Sequence, residues 1–102
     1  MKVFLDDVRE APEGYVQAKD VRQAIDLLIT GEVSEISLDH DLGDENVHGT
    51  GYGVLLWIEN RVHTENWIPP KMIIHSANPP AREKMQSCIE SINNMIDERE
   101  DI

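Results

Sequence analysis

A single cysteine, Cys88, rules out an internal disulfide, so this chain has to hold its fold by its core alone, and a reducing cytoplasm is the expected setting. Basic residues are also scarce. Nine Lys and Arg stand against twenty Asp and Glu, a formal charge of -11, and the nine are scattered along the sequence. That balance argues against duplex nucleic acid or an anionic membrane surface as partner. No apolar run approaches the ~18 residues of a membrane span. The opening "MKVFLDDVRE" turns acidic within six residues and has no cleavage-site pattern, so a secretory leader is not expected. At 102 residues and 40% hydrophobic, the chain reads as one soluble globular domain. Internal repeats are absent, and the acidic end "DEREDI" is expected to fray. The expected organisation is a domain over 1–97 and an acidic tail over 98–102.

What the chain does contain is an alternation of two hydrophobic periods. "KVFL" (2–5), "YVQA" (15–18), "VSEISL" (33–38) and "KMII" (71–74) are short, β-compatible runs. Between the second and third, Asp20 lies three residues before Gln23 in a capping-box-like start. Val21, Ala24, Ile25 and Leu28 then recur at helical spacing, and Gly31 supplies the stop. After the loop "DHDLGDENVHGTG", a second helix is predicted from about Thr50 to about Val62, with Val54, Leu55, Ile58 and Val62 on one stripe. Pro79 and Pro80 suit the first turn of a third helix, whose apolar face is Met85, Cys88, Ile89, Ile92 and Ile96. Strand and helix in alternation predict an α/β fold with a mainly parallel sheet. One link strains that reading. Residues 6–14 are fewer than the dozen or so a parallel crossover usually needs, so either the connection is lean or "YVQA" pairs some other way.

Three strands end in polar clusters: Asp6, Asp7 and Arg9; Asp39, His40 and Asp41; His75, Ser76 and Asn78. In an open parallel sheet the carboxyl ends of the strands form one rim, which is where ligands bind. Asp6, Asp7 and Asp39 are hard oxygen donors of the kind that hold Mg2+ or Mn2+ beside a phosphate, although adjacent aspartates also cap loops. Two carboxylates ~4 Å apart repel by roughly 4 kcal/mol at an effective dielectric near 20, so such a cluster calls for a cation, a base or a proton. Imidazole as a side chain can give or take a proton near neutrality, so His40 and His75 are candidate general base and acid, the alternative being hydrogen-bonded structural histidines. His48 and His63 read as solvent-facing. Ser76 lacks the G-x-S-x-G setting of a nucleophile and reads as a hydroxyl for a phosphate oxygen. Asn78 is either a ligand contact or a helix N-cap. Arg9 and Arg82 are candidate anion clamps, or members of surface ion pairs. "GTGYG" lacks the Walker spacing and its Lys, so it reads as flexible entry to a helix. Trp57 and Trp67 read as packing residues.

With these residues assembled, the chain resembles a response-regulator receiver domain. Asp6 and Asp7 match that family's acidic metal pair, Asp39 its phospho-accepting aspartate, and Ser76 its hydroxyl after the fourth strand. Asp41 stands where a backbone carbonyl completes the metal shell. "FLDDVR", "ISLDHDLG", "GTGYGVLLWI" and "HSANPPAR" resemble more closely the cyclic-phosphate-processing receiver domain, over most of residues 2–92. The resemblance implies a truncated, flavodoxin-like three-layer fold of about four mainly parallel strands with helices on both faces. It departs from an ordinary receiver in three ways. Lys2, Lys19, Lys71 and Lys84 include none after a fifth strand, the first helix is missing or vestigial, and His40 and His75 have no counterpart in the receiver switch. Ala81 stands where the narrower family has Gly. The implied function is a Mg2+- or Mn2+-dependent phosphoesterase, or a binder, acting on a cyclic phosphate or cyclic nucleotide. The alternatives are a receiver that signals through phosphorylated Asp39, and a non-catalytic protein that sequesters a cyclic nucleotide, of the kind a phage would direct against a host signal.

Overall fold

The computed structural model describes residues 1–100. Four strands, β1 (Lys2–Leu5), β2 (Tyr15–Ala18), β3 (Glu35–Leu38) and β4 (Lys71–Ile74), form one sheet in the order β2-β1-β3-β4. Every pairing is parallel. Helices α1 (Val21–Ile29), α2 (Glu45–His48), α3 (Gly51–Thr64) and α4 (Pro79–Glu100) complete the chain. This is the expected α/β class: a truncated flavodoxin-like receiver fold, with strand order reversing between β1 and β3. Among the described residues, no helix is long and apolar enough to cross a membrane.

The lean connection is real, and β2 is nevertheless parallel to β1. Side-chain hydrogen bonds replace the missing helix. Gln17 of β2 accepts from the Ala11 N–H at 2.7 Å through its Oε1, and its Nε2 donates to the carbonyls of Asp6 (2.7 Å) and Arg9 (3.2 Å). One amide thus ties down a loop that has no secondary structure of its own.

The helices differ from the expected three layers. Strand residues enter the core from one face only: Val3, Leu5, Ala18, Ile36 and Leu38, with Met72 and Ile74 partly buried beside them. Ala24 and Leu28 of α1, Val54, Leu55, Ile58 and Val62 of α3, and Met85, Cys88, Ile89 and Ile92 of α4 join that same cluster. These three helices therefore share a face, and the arrangement is two layers. Topology supplies the reason. The β2-to-β3 and β3-to-β4 crossovers step the same way across the sheet, and right-handed connections stepping the same way put their helices on the same side. Only the β1-to-β2 link steps the other way, and it carries no helix. The second face presents Lys2, Tyr15, Glu35 and Lys71, then Phe4, Gln17, Ser37 and Ile73.

Local sequence explains the helix ends. Asp20 caps α1 by accepting from the Gln23 N–H, and Thr50 caps α3 by accepting from the Gly53 N–H. The loop 39–50 contains the four-residue α2, capped by Asp44, which apolar periodicity does not reveal. At the other end, α4 continues to Glu100, three residues past the expected boundary at 97. Arg99 anchors that extension, donating to the carbonyls of Trp67 (3.0 Å), Glu65 (2.9 Å) and Val62. The last two residues of the acidic tail lie outside the described residues. Trp57 and Trp67 pack edge to face, with Arg61 over both rings, as packing residues should.

Candidate metal and phosphate site

Register brings the site together. Leu5, Leu38 and Ile74 occupy one row across β1, β3 and β4, so the next residue of each strand, Asp6, Asp39 and His75, occupies the following row. Side chains alternate between faces along a strand, and neighbours in a row share a face. These three therefore converge on the face opposite the helices. Each offers one ligand atom, and the three atoms lie within 4.8 Å of one another. Two donors held about 2.1–2.4 Å from a common ion are at most ~4.2–4.8 Å apart, so the group fits a single divalent cation.

Asp6 is the most enclosed member, at 2% exposure. Its Oδ1 accepts from the Val8 and Arg9 N–H groups at 2.9 and 2.7 Å, and its Oδ2 lies 3.1 Å from Nε2 of His75. Burial alone would raise its pKa. The two amides and His75 outweigh burial and hold the carboxyl below its ordinary value. Asp39 goes the other way. Burial, reinforced by the charges of Asp6 and Asp41, raises its pKa, against opposing effects from the His40 N–H and His75. Two neighbouring carboxylates thus sit in different electrostatic states, one stabilised as an anion and the other resisting ionisation.

His75 is clamped. Its Nδ1 is 2.7 Å from the Ser37 hydroxyl, and its ring stacks on Phe4 with centroids 4.2 Å apart and planes 3° from parallel. Neither Ser37 nor Phe4 stood out as a functional residue in the sequence. A signal was available, because Ser37 is a polar residue inside an apolar run two positions before Asp39, and hence on its face.

A cleft of about 400 Å3 opens over this group, lined by Asp6, Asp7, Val8, Arg9, Asp39, Asp41, Gly43, His75 and Ala77. Asp7 and Asp41 are on its wall but outside the tight ligand group. Arg9 is exposed there and is the one guanidinium lining the cleft. The remaining candidates are placed elsewhere. His40 points its Nδ1 at Asp41 Oδ1 (2.9 Å) and does not line the cleft. Ser76 is 1% exposed, and its hydroxyl accepts from the Asn78 N–H at 3.2 Å. Asn78 caps α4, its Oδ1 accepting from the Ala81 N–H at 3.3 Å. Arg82 donates to the Ser76 carbonyl at 3.2 Å and borders a different, larger cleft of about 630 Å3 along β4, lined by a single acid, Glu83, and no histidine among the described residues. His48 and His63 are exposed, His48 at the end of α2 rather than in a loop.

Gly51 seats Asp39. A Cβ there would lie 1.8 Å from the Asp39 carbonyl oxygen, so only glycine lets the start of α3 come this close. The glycine is a packing requirement rather than a flexible entry.

The family model described as cyclic-phosphate processing receiver domain matches residues 1–91. No curated protein and no solved structure matches the chain.

Proposed function

Because the chain belongs to the cyclic-phosphate processing receiver family, we propose that it is a divalent-cation-dependent phosphoesterase, or at the least a binder, for a cyclic phosphate or small cyclic nucleotide. The observation that carries this reading is the convergence of Asp6 and Asp39 beneath a cleft with Arg9 on its wall. Carboxylates alone repel a phosphate. A bound Mg2+ or Mn2+ would reverse that sign, polarise the phosphoryl oxygens and make a bound water acidic enough to attack. Asp6, held below its ordinary pKa by two backbone amides and His75, would hold the cation together with Asp39, with Asp7 and Asp41 on the cleft wall. Arg9 would orient the anion from the open side, where its guanidinium can pair two phosphate oxygens.

A second reading, phosphoryl acceptance by Asp39, is supported by the place of that side chain on the cleft wall. Among the described residues no lysine lines the cleft, which leaves such a switch without the receiver's lysine sensor. Incubation with a small phosphodonor separates the two, since a stable, hydroxylamine-sensitive adduct lost in Asp39→Asn belongs to the switch alone. The leading reading is tested by a panel of cyclic mono- and dinucleotides and terminal 2′,3′-cyclic phosphates, with and without Mn2+, on the wild type and Asp6→Asn. Cation-dependent cleavage lost in Asp6→Asn supports an esterase, and tight binding with the ligand recovered intact supports a sequestering protein. Neither cleavage nor binding of any member removes both.

A further inference from the structure

We propose that His75 is a metal ligand through Nε2 rather than a proton carrier, and that Asp6, Asp39 and His75 together form a two-carboxylate, one-imidazole face that favours Mn2+ or another first-row transition ion over Mg2+. The inference rests on the cation-site reading above and deepens it.

The surroundings of the ring are those of a ligand. A proton carrier needs a nitrogen free to meet the substrate, and in His75 both nitrogens are engaged: Nδ1 with Ser37 and Nε2 with Asp6. The ring cannot swing out to serve, since its face lies flat on Phe4 and the side chain is only 14% exposed. Nε2 is aimed between two carboxylates. A phosphate approaching it there meets the carboxyl groups of Asp6 and Asp39 first and is repelled. A cation is drawn to the same point.

Ser37 completes the case. Metal-bound histidines are held by a hydrogen bond at the other ring nitrogen, which fixes tautomer and orientation. The Ser37 hydroxyl, 6% exposed and 2.7 Å from Nδ1, can accept an Nδ1–H when the Nε2 lone pair goes to the ion, and can donate when Nε2 carries the proton. The choice of ion follows from the donors. Mg2+ takes oxygen ligands and retains its waters, whereas imidazole raises affinity for Mn2+, Fe2+, Co2+ and Zn2+ in the usual ascending order.

The test uses the full chain and the metal alone. Free Mn2+ is titrated by its paramagnetic resonance signal with and without competing Mg2+, for the wild type, His75→Gln, Ser37→Ala and Asp6→Asn, with circular dichroism confirming that each variant is folded. Loading with diamagnetic Zn2+ then allows the ring nitrogens of His75 to be read by nitrogen-15 NMR. Expected are a Mn2+ affinity on the order of 10- to 100-fold lower in His75→Gln, a smaller loss in Ser37→Ala, little change in Mg2+ affinity in either, and a metal-dependent shift confined to Nε2. Mn2+ bound with wild-type affinity by His75→Gln but not by Asp6→Asn overturns the imidazole ligand while leaving the carboxylate site intact. No Mn2+ or Mg2+ uptake by the wild type overturns both, and leaves Asp6 and His75 a hydrogen-bonded pair. His75-dependent Mn2+ binding without any cyclic-phosphate chemistry upholds the ligand and overturns the esterase.

Discussion

Two sets of residues sit at the tips of the same three strands and have opposite fates. Asp6, Asp39 and His75 gather their ligand atoms within 4.8 Å. Asp7, His40 and Ser76, each one residue later, do not: Asp7 reaches only the cleft wall, His40 turns to Asp41, and Ser76 is spent on the turn before α4. The difference is a single step along an extended chain. Alternation sends one row to the open face of the sheet and the next toward the helices, so proximity to a strand tip says little until the row is known. The bend after β1 departs from this alternation, since Asp7, Val8 and Arg9 in succession all line the cleft.

The largest effect expected from disturbing this arrangement comes from beneath it. In Gly51→Ala the new methyl group meets the Asp39 carbonyl at 1.8 Å, with Met85 Cε at 3.0 Å, and α3 must move away from the strand tip. A loss of about 3 kcal/mol or more is expected in urea denaturation. Gly53→Ala, in the same helix, is the control, since the nearest neighbour of its new methyl group is the capping Thr50 hydroxyl at 3.8 Å. There the gain in helix propensity should stabilise by up to about 1 kcal/mol. Equal behaviour of the two would show that α3 is not seated on Asp39.

Next come the two aspartates, which should respond with opposite signs. Asp6→Asn should lower cation affinity on the order of 100-fold, where Asp7→Asn lowers it by about tenfold or less, as read by calorimetry. Stability in metal-free buffer sharpens the contrast. The pKa of Asp6 is lowered on folding, so its contribution is present above the ordinary value of 3.8 and is lost as pH falls through the folded value. The pKa of Asp39 is raised, so its stabilising contribution is present below 3.8 and lost as pH rises through the folded value. At neutral pH, Asp6→Asn should therefore destabilise, whereas Asp39→Asn should stabilise by up to about 1 kcal/mol, a gain that vanishes in acid. Melting curves from acid to neutral pH check both signs, and a destabilised Asp39→Asn at neutral pH would contradict the picture of a strained carboxylate.

Much of this was legible in the sequence, and the rest was not for identifiable reasons. Short β-compatible runs, the Asp20 and Thr50 caps and the paired prolines mark most of the elements because each is a local signal. The sharing of one face by α1, α3 and α4 is a consequence of strand order, which no local pattern encodes. Asp6, Asp39 and His75 were visible as a rim. That Ser37 and Phe4 would clamp His75, and that Arg82 would turn away from the cleft, depended on strand parity and helix phase. Parity was available from counting by twos, whereas the phase of α4 depends on how Asn78 caps it.

The smallest effects belong to that corner, and they test whether it is scaffold or site. Ser76 and Asn78 satisfy the first turn of α4, so Ser76→Ala and Asn78→Ala should each cost about 0.5–2 kcal/mol of stability, the ordinary range for a lost cap, while leaving cation affinity within about twofold of wild type. Arg82→Ala should cost less than about 0.5 kcal/mol, because the side-chain hydrogen bond it removes, to the Ser76 carbonyl, is made by an exposed side chain. Arg9→Ala supplies the opposite pattern: unchanged stability, because only its backbone N–H holds Asp6, with weakened binding of any phosphate ligand. If Arg82→Ala weakened phosphate binding as much as Arg9→Ala, the two clefts would have to act as one. The ligand would then be long enough to run from the carboxylates across the tip of β4 to the start of α4.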